Sequence, residues 1–148
     1  SEKPDFARGY LKLAEAYVRG GQKGLARDIL NQALESMPKS KDITQALVRL
    51  DMFEGKRQEA ESLLRKLAGL YPGDAAVGVA LGDFYAASGD EAAASRQYEA
   101  VKKAAPASPL PYLRQARLYL RAKQREKALV ELRKGLEAVP RALAAVDA

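Results

Sequence analysis

The feature that most constrains the fold is a repeat of 34 residues that runs through the sequence. Five of the seven prolines follow it without a slip, at Pro4, Pro38, Pro72, Pro106 and Pro140. Small residues share the period, at Ala26, Ala60, Ala94 and Ala128 and again at Gly21, Gly55 and Gly89. Lys123 stands where a fourth glycine would fall. A fixed period of this length is typical of proteins that stack one supersecondary unit several times.

Each period predicts two amphipathic helices. In the first period, apolar side chains follow the i, i+3, i+4, i+7 spacing of one helical face, at Tyr10, Leu13, Ala14 and Tyr17. Gly21 predicts a turn, because glycine tolerates a positive φ. The second helix should end before Pro38, since proline disfavours helix in the preceding residue. The later periods predict second helices that end at the other prolines of the lattice.

The composition argues against an enzyme. Cysteine and histidine are both absent, which removes thiolate nucleophiles, the commonest metal ligands and the usual general base at neutral pH. The best carboxylate pair, Asp90 and Glu91, follows Gly89 and is typical of the first turn of a helix, where the helix dipole favours acidic residues. We therefore expect no catalytic, cofactor-binding or metal-binding residues.

The period, the small residues, the terminal prolines and the aromatic sites agree with one another, and together they resemble the tetratricopeptide repeat family over about residues 7–140. The resemblance implies an all-α, right-handed α-solenoid of four antiparallel helix-turn-helix repeats in a single domain, 1–148. The repeats would span about 7–40, 41–74, 75–108 and 109–142. Residues 1–6 would end a preceding repeat and 143–148 would begin a following one, which predicts that the chain comes from a longer array. Its richness in alanine, arginine and leucine indicates a bacterial source.

The second repeat departs most from the family pattern. Thr44 and Asp51 stand where aromatic residues are usual, and Val48 occupies a site that is small elsewhere. A buried carboxylate without a partner is costly. We expect either local distortion or a pairing of Asp51 with a neighbouring arginine such as Arg49 or Arg57.

The resemblance also implies that the first helix of each repeat lines a concave groove. The outward face of these four helices carries seven basic and three acidic side chains, so much of the net charge of +6 falls there. The candidate partner-binding residues on this face are Arg8, Leu11, Lys12, Arg19, Arg49, Met52, Phe53, Val79, Asp83, Leu110, Leu113, Arg114, Arg117 and Arg121.

The fourth repeat has the most suggestive cluster of these residues. Three arginines at i, i+3 and i+7 share a helical face with three leucines, at Arg114, Arg117, Arg121, Leu110, Leu113 and Leu120. No acidic residue of the same helix lies on that face. Such a face could bind an amphipathic acidic segment, with guanidinium groups on its carboxylates. The alternative is a solvated face on which arginine stems cover apolar surface.

Two further residues of the second repeat, Met52 and Phe53, allow two interpretations. If they face the groove, they could anchor a side chain of the partner. At helical spacing they could equally belong to the core. The Lys/Asn/Arg clamp with which some family members bind chaperone tails is not visible, since Leu11, Glu15 and Ala46 occupy positions where polar clamp residues are expected.

The predicted function is a non-catalytic protein-interaction scaffold that binds a partner protein or peptide, acidic in character, in its groove. One alternative is a basic solenoid that binds RNA or single-stranded nucleic acid, but most tyrosines fall on structural sites, which leaves few for base stacking. Another is a structural segment of an envelope protein for polysaccharide secretion or sorting. The bacterial cytoplasm and the periplasm or envelope both fit the sequence. No apolar run is long enough for a membrane span. The apolar faces at the two ends predict weak end-to-end association of the chain.

Overall fold

A computed structural model describes the backbone of residues 4–147 and the side chains of residues 6–139. Eight helices and no strand are present in this part of the chain, which confirms the predicted all-α fold. The helices are α1 (Pro4–Arg19), α2 (Lys23–Ser36), α3 (Lys41–Phe53), α4 (Arg57–Leu70), α5 (Ala75–Ala87), α6 (Glu91–Ala104), α7 (Leu110–Arg121) and α8 (Arg125–Asp147). None of the helices in the described residues is both long and apolar enough to cross a membrane.

The turn between the two helices of each repeat has the same hydrogen bonds four times over. The residue at the glycine site has a positive φ of 75°, 76° and 84° at Gly21, Gly55 and Gly89, and of 61° at Lys123. The next residue donates its N–H to a carbonyl five residues back, as Gln22 does to Tyr17 at 2.7 Å. Together these features are a Schellman motif, which satisfies the last carbonyls of the first helix.

Side-chain caps start several of the helices. Ser40 and Asp74 each accept a hydrogen bond from the backbone N–H three residues later, at 3.3 and 3.2 Å. Asp90 accepts the N–H of Ala93 at 2.9 Å, so its predicted place at a helix start is confirmed. Such caps satisfy N–H groups that the first turn of a helix leaves without partners.

The two ends of the chain differ from the prediction. Pro4 is the first residue of α1 instead of the end of a preceding helix, and the first turn of a helix suits proline because no N–H is needed there. The predicted stop at Pro140 is also wrong, because α8 continues to Asp147. Ser40 and Asp74, two residues after Pro38 and Pro72, cap α3 and α5, but Ala142 has no side-chain oxygen to cap a new helix. Residues 1–3 and 148, also assigned to neighbouring repeats, lie outside the described residues.

The chain divides into two compact units, of α1–α4 and of α5–α8, at the boundary between Leu70 and Tyr71. In each unit the two hairpins pack through neighbouring helices, α2 on α3 and α1 on α3 in the first, α6 on α7 and α5 on α7 in the second. The lattice alanines are buried on the second helix of each hairpin, at Ala26, Ala60, Ala94 and Ala128. Their role in close helix packing, which the sequence predicted, is therefore confirmed.

The second repeat is regular in spite of its unusual residues. The hydroxyl of Thr44 donates to the Ser40 carbonyl at 2.8 Å, which satisfies it within α3. Asp51 is buried, and its Oδ1 lies 2.6 Å from a guanidinium nitrogen of Arg27 on α2. Asp51 therefore pairs with an arginine as expected, but the partner is Arg27 instead of Arg49 or Arg57, because Asp51 faces the preceding helix α2. Burial lowers the pKa of Arg27, but the bonds to Asp51 and Glu54 outweigh burial and leave it raised.

Candidate functional site

An apolar pocket of about 590 Å³ lies in the first unit between α1 and α3. Its floor consists of three almost fully buried side chains, Ala14, Leu30 and Leu50. Its apolar walls are Leu11, Val18, Ala46 and Phe53. Pockets that hold ligands in proteins have volumes of about 300–1,000 Å³, so this one is large enough for a bulky side chain of a partner. We call it the α1–α3 pocket.

Phe53 is the most exposed large apolar side chain around the α1–α3 pocket. Its side chain is 73% exposed and lies beneath the ammonium group of Lys23, whose Nζ is 4.0 Å from the ring centroid. A cation above an aromatic face attracts the ring and fixes its orientation. The structure thus places Phe53 on the surface instead of in the core, while its neighbour Met52 is half-buried and is not a pocket residue.

Two charged side chains line the α1–α3 pocket. Glu15 pairs with Arg19 at 3.2 Å, and both side chains are well exposed. Arg49 is exposed, and it has no ion pair among residues 6–139. Arg8 and Lys12 are exposed on the same helix as Glu15. The surroundings of this pocket are therefore basic, and Arg49 is available to an anion.

In the second unit, a hydrogen-bonded network joins α5, α6 and α7. The hydroxyl of Tyr98 donates to Oδ1 of Asp83 at 2.6 Å, and Nε of Arg114 donates to Oδ2 of the same carboxylate at 3.1 Å. The Tyr98 ring is buried against Gly82, where an added Cβ would overlap it. Burial and the bond to Asp83 raise the pKa of the Tyr98 hydroxyl, which stays protonated. We call these three residues the Tyr98 network.

The Tyr98 network changes the interpretation of the arginine cluster. Arg114 was expected to lack an acidic neighbour on its own helix, but Asp83 pairs with it from α5. Arg117 and Arg121 are exposed and have no ion pair among the described side chains. Leu113 and Leu120 are 43% and 54% exposed, while Leu110 packs against the core. We call Leu113, Arg117, Leu120 and Arg121 the α7 face.

One candidate residue lies in the core. Val79 is 3% exposed and packs in the cluster that contains Tyr98, Val101 and Leu118. Its spacing on α5 fits the groove-facing side, but it packs in one cluster with Tyr98, which stands where the other repeats have leucine. Val79 therefore cannot contact a partner, and the prediction for it is corrected.

A second polar link joins the two hairpins of this unit away from the α7 face. Lys102 of α6 lies 2.8 Å from the buried carboxylate of Glu131 on α8, and its Nζ lies over the Tyr112 ring. Burial lowers the pKa of Lys102, but the bonds to Glu131 and Glu99 outweigh burial and leave it raised. This lysine has a structural role and is not a free surface charge.

Sequence reasoning missed Tyr98, Arg27 and Lys23, all on second helices. A signal for Tyr98 is present, since the equivalent residues of the other repeats are Leu30, Leu64 and Leu132. Gly82 beside it is the smallest residue at its site, which indicates a bulky neighbour. The bonds of Arg27 and Lys23 to α3 join residues about 25–30 positions apart, and no local spacing predicts them.

Among the described residues, no group of three or more carboxylates, cysteines or histidines is arranged to hold a metal ion. The α1–α3 pocket offers apolar contacts to a ligand, and the α7 face offers hydrogen bonds and positive charge.

Two models of the tetratricopeptide repeat match the sequence, over residues 8–40 and 52–111. These matches together cover more than half of the 148 residues. The chain belongs to the tetratricopeptide repeat family. Proteins of this family are generally non-catalytic scaffolds that bind other proteins or peptides, and the predicted class of interaction scaffold agrees with this membership. No curated protein matches the chain.

Solved structures with the same tetratricopeptide fold include MamA and a bacterial repeat protein. A crystal structure of MamA is 21% identical with a TM-score of 0.64, and the alignment covers 96% of this chain and 83% of MamA. A second MamA crystal structure is 22% identical, with a TM-score of 0.62 and coverage of 91% and 74%. A tetratricopeptide repeat protein from Parabacteroides merdae ATCC 43184 is 17% identical, with a TM-score of 0.65 and coverage of 90% and 54%. These similarities show the all-α helical-repeat solenoid fold.

Proposed function

We propose that the chain is a non-catalytic scaffold that binds an acidic, amphipathic segment of a partner protein on the α7 face. The observation that carries the proposal is the pair of exposed guanidinium groups, Arg117 and Arg121, beside two exposed leucines. The arginines are one helical turn apart, so both reach one bound segment. Guanidinium groups bind carboxylates in a forked geometry, and the leucines supply apolar contact.

Arg114 belongs to the Tyr98 network and is therefore not part of the α7 face. Asp83 neutralises Arg114, so the attraction for carboxylates lies with Arg117 and Arg121, further along α7. Clusters of exposed apolar and basic side chains on a helix are typical of surfaces that bind amphipathic helices. Leu113 and Leu120, at 43% and 54% exposure, add apolar surface beside the two guanidinium groups.

The test uses a fluorescent, amphipathic peptide built from leucine and glutamate, with no aromatic residue. We expect saturable binding that weakens as salt is added, because the contacts are charged. The variant Arg117→Glu/Arg121→Glu should weaken binding by more than about 100-fold, since like charges across an interface cost several kcal/mol. Its circular dichroism should match the wild type, because exposed substitutions change stability little.

The matched control is Arg96→Glu/Arg133→Glu, which changes the charge equally at exposed sites on the second helices α6 and α8. It should bind the peptide as the wild type does. A lysine-leucine peptide should bind weakly. Equal loss in both double variants would contradict the α7 face, and tight, salt-sensitive binding of single-stranded RNA without peptide binding would favour a nucleic-acid function.

A further inference from the structure

The α1–α3 pocket has a counterpart in the second unit, and the comparison shows how the two sites differ. Residues two repeats apart occupy equivalent places, so Leu30 corresponds to Tyr98 and Ala46 to Arg114. Likewise Glu15 corresponds to Asp83. All three of the first-unit residues line the pocket, and all three of their counterparts bond to one another as the Tyr98 network.

Two of these three side chains are smaller in the first unit, Leu30 against Tyr98 and Ala46 against Arg114, which accounts for the open space on the same framework. In the second unit an aromatic ring and a carboxylate–guanidinium pair fill the equivalent space. In the first unit leucine and alanine leave it open over a volume of about 590 Å³. The floor residues Ala14, Leu30 and Leu50 are almost fully buried, so a side chain that enters the pocket would pack on apolar atoms there.

We infer that the α1–α3 pocket receives one aromatic side chain from a segment of a partner protein, whose neighbouring carboxylate pairs with Arg49. The filling of the second unit shows that an aromatic ring beside an ion pair fits this framework. The charges agree, because Arg49 has no ion pair among the described side chains and the one acidic residue of the pocket, Glu15, pairs with Arg19. This inference rests on the proposed scaffold function and adds the chemistry of a second binding site.

Phe53 completes the recognition of such a side chain. Its ring stands at the pocket wall, exposed and oriented by Lys23, where it can contact an incoming ring edge to face. Aromatic pairs in this geometry are favourable beyond the area they bury. The counterpart of Phe53 in the second unit is Arg121, which supplies charge instead of an aromatic wall.

The experiment exploits the absence of tryptophan from the chain. Short peptides carry one tryptophan and a glutamate at several spacings from it, and tryptophan fluorescence reports burial directly. We expect a saturable blue shift with the wild type for at least one spacing. The same peptide with alanine for tryptophan should compete about 30-fold more weakly, as expected for a buried aromatic anchor.

The decisive variant fills the pocket with the residues of the second unit, as Ala14→Gly/Glu15→Asp/Leu30→Tyr/Ala46→Arg. It should fold, because the same combination packs in the second unit, and it should bind about 30-fold more weakly. Ala46→Trp alone is the second filling variant, with folding checked by circular dichroism. Arg49→Glu should weaken binding about tenfold.

The control Arg117→Glu/Arg121→Glu changes only the α7 face and should leave the blue shift unchanged. Loss of the shift in this control but not in the filled variants would overturn the pocket inference and leave the proposed function standing. No blue shift with any spacing, or equal shifts in the wild type and the filled variants, would also overturn it. Loss confined to the filled variants and Arg49→Glu supports it.

Discussion

At the scale of single residues, Lys123 shows how the repeat framework imposes a conformation on an unsuited residue. Its φ of 61° lies in the left-handed region that glycine occupies in the other three turns. An L-residue with a side chain pays roughly 1–2 kcal/mol there. The Schellman hydrogen bonds of the turn, including the N–H of Gln124 to Tyr119 at 2.8 Å, hold it in place.

Lys123→Gly should therefore stabilise the protein. Relief of the left-handed strain outweighs the extra freedom that glycine gives the unfolded chain, for a net gain of about 0.5–1 kcal/mol. Thermal unfolding should show a midpoint raised by a few degrees. Gly21→Lys is the matched control and should shift the midpoint the other way, since the site has space but a φ of 75°. Equal midpoints in all three proteins would refute the strain argument.

The Arg27–Asp51 pair decides the stability of the first unit at the residue scale. Asp51 is 1% exposed, so removing Arg27 leaves a buried carboxylate without its partner. Arg27→Met should cost about 3–5 kcal/mol, while Arg27→Met/Asp51→Leu should recover most of that loss. Urea denaturation of both variants and of Asp51→Leu measures the coupling. A loss of no more than about 1 kcal/mol in Arg27→Met would mean that the pair behaves as an exposed one.

At the scale of helices, the sequence predicts the start and end of most elements. The turns fall at the glycine sites, and α2, α4 and α6 end before Pro38, Pro72 and Pro106. These boundaries are local, since they depend on φ preferences and caps. The end of α8 was predicted wrongly, since this helix continues through Pro140 to Asp147. The Tyr98 network was also missed, because its three residues come from three helices.

The polar links of the second unit should make it sensitive to alkali. Tyr98 and Lys102 both have raised pKa values, so each contributes stability that is complete below its unfolded pKa, about 10 for both types. That stability is lost as the pH rises through the folded pKa. Urea midpoints should fall above about pH 10, and Tyr98→Phe should fall less steeply than the wild type. Parallel curves would show that Tyr98 does not couple to the alkaline transition.

At the scale of the whole molecule, the two units share one framework but present different chemistry. The first has an apolar pocket with Phe53 at its wall, and the second has the basic α7 face. The repeat predicted the helix pairs, and the family resemblance that rests on it predicted most of the exposed basic residues. Neither could predict that Arg114 is paired or that Val79 is buried, because both depend on contacts between helices.

Weak end-to-end association of the chain remains a prediction at this scale. Leu13 is 42% exposed on α1, while the equivalent Leu47 of the next repeat is buried. Leu129 and Leu136 are exposed on α8. The equivalent residues of the first repeat are Arg27, which bonds to Asp51 on α3, and Leu34, which packs against the core. Light scattering should show an apparent mass that rises with concentration, and Leu129→Glu/Leu136→Glu should abolish the rise. A constant monomer mass for the wild type would rule association out.

Partner segments are expected to bind the first helices of the repeats. Backbone amide NMR shifts report this when isotope-labelled protein is titrated with the leucine-glutamate peptide and, separately, with the tryptophan peptide. We expect the largest changes in α7 with the leucine-glutamate peptide and in α1 and α3 with the tryptophan peptide. Largest changes in the second helices α2, α4, α6 and α8 with both peptides would contradict this expectation.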